Sequence, residues 1–391
     1  MNFSRVLVVV HKELIDAIRD RRALYSILFG ALFGPILIGF MLNRIADQQR
    51  GAQEIRIPVV GREYAPVLVK WLEQQSGVEI VPGPADPQAA VRDRVVEFVL
   101  VVPKEFPEKF RQSRPAPVQV VSDSSRQAAR GKIQRLRNLL SRYSAEIGGL
   151  RLVARGVSPV IASALNIEDI EVSSAQQRAA QVFNIIPMFL IISAFAAGMQ
   201  IATDSTAGER ERGSLEPLLV NPIPRLALVL GKWIAAVASA AVGMTLSLAI
   251  TSAVLLLVKL EDLGVRFNLT AYDALLLLAA TLPAALLAPA IQMYLASFAK
   301  SFKEAQSYIG ILMLLPTIPG IMANFYPLGN RPWMAPIPIL GQFSLSTDVL
   351  SGKPPSPLIL AVGALSAIAV GFLFVSLTTR LFSKEKIIFG R

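Results

Sequence analysis

The sequence predicts an α-helical polytopic membrane protein with six transmembrane helices and an α/β domain inserted between helices 1 and 2. Hydrophobic residues make up 53% of the chain and charged residues only 17%, whereas soluble domains carry roughly 25% charge. Six apolar segments are long enough to cross about 30 Å of hydrocarbon. The polar stretch 44–178 separates the first of them from the second.

Residues 1–22 are predicted to form an amphipathic entry helix that lies in the headgroup plane before the chain enters the bilayer. One face of this helix is apolar and is made by Phe3, Val6, Leu7, Val10, Leu14 and Ile18. The rest of its surface is charged and includes Lys12, Glu13, Asp16, Arg19 and Asp20. His11 is interpreted as a surface residue rather than a ligand or proton carrier.

The first span is predicted at residues 23–43. Its apolar run is longer than a signal-peptide core, and no small-x-small cleavage site follows it. Gly30 and Gly34 form a GxxxG pair, which favours close packing against another helix.

Residues 44–178 alternate short β-rich runs with short amphipathic runs, which predicts a small α/β layer. A long helix is expected after it, at about 125–155, with an apolar stripe made by Ile133, Leu136, Leu140, Tyr143, Ile147 and Leu150. The opposite face of that helix is strongly basic. It is either a solvated surface or a contact for anionic lipid headgroups or an anionic substrate.

Residues 179–382 contain spans 2 to 6, predicted at 179–202, 233–258, 272–298, 307–325 and 358–382. In the third span, small residues recur every four positions from Ala235 to Thr251, so another helix can approach closely. The proline-rich linker 326–357 is too short and too polar to cross. It is expected to re-enter the bilayer without spanning it, and residues 383–391 form the tail.

Lys and Arg are concentrated at the two termini and in the loops 203–232 and 299–306. The opposite short loops carry only Lys259, Arg266, Arg331 and Lys353. The positive-inside rule therefore places both termini in the cytoplasm and residues 44–178 outside it.

The sequence lacks the residues and motifs that several classes of enzyme and metal site require. Cys is absent and His occurs once, so no Cys- or His-based metal site or His-dependent triad is expected. The chain has no GxxxxGK[ST] phosphate loop, no HExxH and no GxSxG motif, and no nucleic-acid-binding motif explains its net charge of +11. We therefore expect a chain that is not itself an enzyme.

The segment 203–230 is the organising feature of the chain, since it is a short charged stretch between two spans. Gly213 is predicted to end a helix with positive φ, and Ser214 to cap a second short helix. Pro217 is tolerated because it falls in the first turn of that helix. Leu215, Leu218 and Leu219 are expected to form an exposed apolar face suited to docking a partner protein.

The run ERERGSLEPLL resembles the signature of the ABC-2 type permeases, in particular the sodium-efflux-permease-like branch. HKELIDAIRDRRAL in the entry helix and the IPIL…L-x-G spacing in the linker resemble the same family. The resemblance implies a type V ABC exporter-like fold in a bacterial plasma (inner) membrane. It also implies a homodimer or heterodimer of permeases with separate ATPase subunits that bind ATP and Mg²⁺.

Residue roles follow from that resemblance. ATPase coupling is assigned to Glu209, Arg210, Glu211, Arg212, Gly213, Ser214, Leu215, Glu216 and Pro217. A further ATPase contact is assigned to Lys12, Glu13, Asp16, Arg19 and Asp20 of the entry helix. Apart from the resemblance, the polar residues Asn184, Gln200, Thr251 and Asn324 lie within the predicted spans and are candidates either to line a substrate path or to form hydrogen bonds between packed helices.

The exported substrate stays open between Na⁺, a drug, a peptide and a lipid-like molecule. Two other classes of function also remain. One is a membrane-anchored sensor whose outer domain binds a ligand, although six spans exceed what an anchor needs. The other is a secondary carrier, which usually keeps ionisable residues in the middle of its spans.

Overall fold

The computed structural model describes residues 3–53, 55–123, 126–162, 183–221, 223–257, 269–323, 325 and 331–383. The chain divides into two compact units. One comprises Met1–Asn43 and Ser173–Arg391, and the other comprises Arg44–Val172. We call them the membrane unit and the α/β domain and describe each separately.

The helices, in chain order, are α1 (Phe3–Arg19), α2 (Arg21–Gln53), α3 (Pro66–Glu73), α4 (Pro87–Arg92), α5 (Phe106–Arg111), α6 (Gln127–Val153), α7 (Ile185–Glu211), α8 (Leu215–Val220), α9 (Arg225–Leu257), α10 (Ala271–Ala296), α11 (Phe302–Leu312), α12 (Thr317–Met322), α13 (Leu340–Leu350) and α14 (Pro357–Leu381). The strands are β1 (Ile55–Val60), β2 (Val78–Pro82), β3 (Phe98–Val101) and β4 (Gln119–Ser122). Six segments are long and apolar enough to cross a membrane: α2, α7, α9, α10, α11 with α12, and α14. The predicted polytopic fold is therefore confirmed.

Helix α7 lies at the centre of the membrane unit, and 78% of its most apolar stretch is buried. It packs against α9 and α10, and α10 in turn packs against α14. Small residues permit this approach, because a Cβ at Gly243 of α9 would collide with Ala197 of α7. Ser239 Oγ donates to the Ala197 carbonyl at 2.7 Å, so the small-residue ridge predicted in the third span is a helix contact.

Helices α2 and α7 also meet through glycine. A Cβ at Gly30 would lie 2.9 Å from the Ser193 carbonyl oxygen, and one at Gly34 would lie 2.6 Å from Phe189 Cβ. The GxxxG pair therefore serves close packing, as the sequence indicated. Helix α2 itself continues to Gln53, well past the predicted end of the span, because residues 43–53 contain no proline and few poor helix formers.

The proline-rich linker contains the eleven-residue helix α13, preceded by a 3₁₀ turn at Pro332–Met334. Most of α13 is buried, including Phe343. Gln342 is fully buried as well, and its Nε2 donates to the Gly363 carbonyl of α14 at 3.0 Å. This amide ties the linker to the last span.

The α/β domain is built on a four-stranded sheet with the order β2-β1-β3-β4. Strand β1 pairs in parallel with β2 and β3, and β3 pairs antiparallel with β4. Alternating side chains of β1 are buried, and together with Phe98, Leu100 and Leu136 of α6 they form the domain core. The Asp86 carboxylate caps α4 by accepting from the N–H groups of Gln88 and Ala89, both at 3.0 Å.

The apolar stripe predicted for α6 needs one correction. Leu150 is 60% exposed, whereas Leu139, which lies outside the predicted stripe, is buried in the core. A helix with 3.6 residues per turn shifts its buried face over six turns, and the last turns of α6 run beyond the sheet core. Part of the basic face is used inside the domain, since Lys132 Nζ lies 2.7 Å from Glu97 and Arg126 donates to backbone carbonyls.

Candidate functional site

The segment after α7 contains the helix break that the sequence predicts. Helix α7 passes through a π-helical stretch, Asp204–Gly208, and ends at Glu211. Gly213 has φ +67°, and its N–H donates to the Arg210 carbonyl at 3.1 Å. A residue in this left-handed conformation stops one helix and redirects the chain into α8.

Ser214 does not cap α8 in the predicted manner. Its backbone is helical (φ −82°, ψ −14°), whereas an N-cap residue has an extended backbone and its side chain accepts a hydrogen bond from an N–H group in the first turn of the helix. The Ser214 Oγ instead donates to the Glu209 carbonyl at 3.2 Å. Ser214 therefore secures the end of α7 rather than the beginning of α8.

A buried ionic cluster lies where this segment meets α1 and α9. We define the ionic cluster as Lys12, Glu13, Glu209 and Lys232. Lys232 is fully buried, and its Nζ lies 2.9 Å from Glu13 Oε1 and 2.6 Å from Glu209 Oε2. Glu13 and Glu209 are 6% and 4% exposed. Lys12, which is half-exposed, lies 3.1 Å from both carboxylates.

The ionic cluster is balanced, with two cations and two carboxylates in mutual contact. Buried charges are tolerated only when they are paired and hydrogen-bonded, because desolvation of each ion costs several kcal/mol. Burial of Lys12 favours its neutral amine. The charges of Glu13 and Glu209 outweigh that effect and raise the pKa of Lys12 above its ordinary value. The ion pairs of the cluster hold α1, α7 and α9 together.

The other charges of the ERER run are also used within the chain. Arg210 donates to the carbonyls of Ser297 and Ala299 at 3.4 and 3.2 Å, and Glu211 accepts from the Phe302 N–H at 2.6 Å. These bonds fasten the end of α7 to the loop between α10 and α11. The sequence analysis assigned both side chains to contact with the ATPase. Their bonds to the loop between α10 and α11 could not be predicted from a local sequence pattern.

Arg212 closes the π-helical stretch on itself. Its guanidinium makes two bonds to the Asp204 carboxylate, at 2.8 and 3.0 Å. A Cβ at Gly208 would lie 2.7 Å from Asp204 Oδ1, so glycine at this position leaves room for the pair. π-helical stretches within α-helices are rare overall, and those that occur often lie at functional sites.

The apolar face expected on α8 is only partly present. Leu215 is 3% exposed and packs in a core cluster with Leu228 and Trp233 of α9, because α8 folds back onto the bundle. Leu218 is half-buried, and the side chain of Leu219 lies outside the described residues. The exposed residues around the break are Glu211, Arg212, Gly213, Ser214, Glu216, Pro217 and Val220.

The charged residues of the entry helix divide into two groups. Lys12 and Glu13 belong to the ionic cluster, and Asp16 pairs with Lys12 at 3.1 Å. Arg19 is exposed, whereas Asp20 accepts from Gln200 Nε2 of α7 at 3.5 Å. Val6 and Val9 of α1 are buried against α9, where a Cβ at Gly231 would lie 2.5 Å from Val9 Cβ. Phe3, Leu7 and Ile18 of the predicted apolar face are exposed.

Lys232 is the functional candidate that the sequence analysis missed. It was counted among the cations of a loop, because the apolar run begins at Trp233. In the structure α9 already begins at Arg225, which places Lys232 two turns inside a packed helix. A single lysine directly next to a long apolar run is the signal that could have identified it.

The structure does not gather the residues proposed for a substrate path. Asn184 immediately precedes α7 and Gln200 lies sixteen residues further along, about 24 Å away at 1.5 Å per residue. Thr251 is buried in α9, and Asn324 lies outside the described residues. Within the described part of the chain, no group of three or more His, Cys, Asp or Glu side chains could hold a metal ion.

Comparison with known proteins agrees with a polytopic membrane protein. The chain is 29% identical over 392 residues to the ABC transporter permease protein NatB of Bacillus subtilis (strain 168), an alignment that covers 97% of this chain and 98% of the relative. A family model described as ABC-2 family transporter protein matches residues 25–378. This chain is therefore a membrane permease of the ABC-2 family of ABC transporters.

Proposed function

We propose that this chain is the transmembrane subunit of an ATP-driven exporter and that segment 203–230 receives motion from a separate ATPase subunit. ATP and Mg²⁺ bind in that partner. The excess of Lys and Arg supports a cytoplasmic position for this segment and for both termini, with residues 44–178 on the outer side of a bacterial plasma membrane. Two copies, or this chain and a second permease, would enclose one translocation path.

The observation that carries this proposal is the contrast between the two sides of the segment. The side of the segment that faces the helix bundle is held in place by the ionic cluster and by the bonds of Arg210 and Glu211. On the opposite side of the segment, Glu216 and Pro217 are exposed directly after the break at Gly213. A force applied to α8 would therefore be transmitted to α1, α7 and α9 rather than absorbed by a flexible loop.

Exposure also limits which residues of the segment can contact the ATPase. Glu216 and Gly213 are available for that contact, whereas Glu209 and Leu215 are buried and act by holding the segment. The substrate remains one of the four classes named above, since the candidate path residues Asn184 and Gln200 do not meet at one site.

The test compares Gly213→Val with Gly213→Asn in the complex of permease and ATPase reconstituted in lipid. No atom lies within 4 Å of a Cβ at Gly213, so the two variants differ in backbone preference rather than in space. Asn tolerates positive φ and a β-branched residue does not. We expect Gly213→Val to assemble normally and to lose substrate-stimulated ATP turnover, and Gly213→Asn to retain most of it.

Glu216 offers a second, independent arm. Glu216→Lys should weaken coupling more than Glu216→Gln, because reversing a charge at an interface brings like charges together. A compensating charge reversal on the ATPase should restore part of the activity. Unaltered coupled transport in both Gly213→Val and Glu216→Lys would refute the role proposed for this segment.

A further inference from the structure

A cleft of about 330 Å³ opens in the α/β domain between α5, α6 and the loop that follows α5. Its walls are apolar and aromatic, and they include Phe106, Phe110, Leu140 and Ile147. Its size is that of a small-ligand pocket rather than of a protein interface. Aromatic side chains provide rigid contact area there, with Phe106 and Phe110 stacked at 5.3 Å between ring centroids.

The charges of the cleft all have one sign. Arg114 and Arg151 line it, and no Asp or Glu is among the lining residues. Arg151 Nη2 donates to the Phe110 carbonyl at 2.9 Å, and its guanidinium lies 4.7 Å from the centroid of the Phe110 ring. These contacts leave donors of the guanidinium unused, because Arg carries five N–H groups. Within the described part of the chain, no carboxylate forms an ion pair with it.

Two further features make the polar end of the cleft a defined structure. Ser113 adopts φ +60°, which is uncommon for a residue other than glycine, and Arg114 N–H donates to the Lys109 carbonyl at 3.0 Å. This turn holds Arg114 at the cleft. Tyr143 also lines the cleft, and burial raises the pKa of its hydroxyl, which therefore stays protonated and can donate a hydrogen bond.

We propose that this cleft binds a single-chain anionic amphiphile of the fatty-acid class. The acyl chain would lie against Phe106, Phe110, Leu140 and Ile147, and the carboxylate would contact Arg114 and Arg151. Guanidinium groups favour carboxylates through paired, charge-assisted hydrogen bonds. The slot is apolar and ends in two arginines, neither of which forms an ion pair with a carboxylate among the described residues, so its polarity matches that of the amphiphile along its length.

The test uses the full-length chain in lipid nanodiscs and a dodecanoate that carries a photoactivatable diazirine at its methyl end. After illumination, labelled peptides are mapped by mass spectrometry. We expect label in 106–118 and 140–151, removed by excess dodecanoate and retained in excess dodecanol, which has the same chain without the charge. The assay contains no ATPase, so its failure would not bear on the proposed export function.

Variants separate binding from folding. Arg114→Gln removes an exposed charge, and Arg151→Gln also removes a bond to α5, so the first is the cleaner substitution. Each should lower cleft labelling about tenfold, which is the effect of losing one charge-assisted hydrogen bond. Arg151→Lys should retain part of the labelling. Arg137→Gln, which changes an exposed residue of α6 outside the cleft, should match the parent.

Three results would overturn the proposal. They are label confined to the membrane spans, equal competition by dodecanol and dodecanoate, and unchanged cleft labelling in both Arg114→Gln and Arg151→Gln. The first would leave the cleft without an acyl ligand. The second and third would show that its arginines do not select for an anion.

Discussion

Replacement of Lys232 by Met tests whether the ionic cluster holds the membrane unit together. Methionine retains an unbranched apolar side chain and removes only the ammonium. The change leaves the carboxylates of Glu13 and Glu209, both almost fully buried, without their shared partner at 2.9 and 2.6 Å. Removal of one partner of a buried ion pair typically destabilises a protein by about 3–5 kcal/mol.

The lower end of that range applies here, because Lys12 still lies 3.1 Å from both carboxylates and neutralises one of the two. We therefore expect a loss of about 3 kcal/mol. For a domain of this size, 1 kcal/mol shifts Tm by about 2–4 °C, so the melting temperature should fall by about 6–12 °C. Thermal melting of the solubilised full-length chain, followed by the fluorescence of its tryptophans, measures this shift.

The double variant Lys232→Met with Glu209→Gln supplies the decisive comparison. It leaves one cation and one carboxylate in the site, and we expect it to recover about half of the lost stability, since the unpaired buried charge is the main penalty. Lys303→Met is the matched control, because Lys303 is exposed, and it should melt within about 1 °C of the parent. A single variant that melts like the parent, or a double variant no more stable than the single, would refute this account.

The remaining predictions concern topology and packing. Val95 and Lys303 are both exposed. In intact cells, an impermeant reagent should label a cysteine introduced at Val95 and should not label one introduced at Lys303. The opposite result would mean that the chain is inserted in the opposite orientation. Gly34→Val should destabilise the membrane unit by about 1–3 kcal/mol in thermal melts, because its Cβ would clash with Phe189, and unchanged melting would contradict the observed helix contact. Cysteines at Pro336 and Gly352, which are exposed and flank segment 337–350, should be accessible from the same outer side, and labelling from opposite sides would mean that the linker crosses the bilayer.

Gly208, although it lies within segment 203–230, is not a suitable position for topology labelling. Gly208 is buried, and any side chain there would press on the Asp204 carboxylate. Its accessibility would be low on either side of the membrane, whichever way the chain is inserted. Lys303 reports on the same side of the bundle and is exposed.

Several features of this protein were determined by the sequence alone, because their causes are local. Long apolar runs are read directly as spans, since each must cover the hydrocarbon thickness with its own residues. Short β-rich runs predicted strands such as β1, and the break at Gly213 followed from the steric freedom of glycine. The small-residue ridge around Gly243 was also visible as a period of four.

Only the tertiary structure decided how the charged residues pair. Glu13, Glu209 and Lys232 are far apart in the sequence, and nothing local distinguishes a buried glutamate from its exposed neighbour Glu216. Leu215 looked like an exposed anchor and proved to be core, since burial depends on what folds back over a side chain. The cleft lined by Arg114 and Arg151 likewise exists only because a turn after α5 lies beside the end of α6.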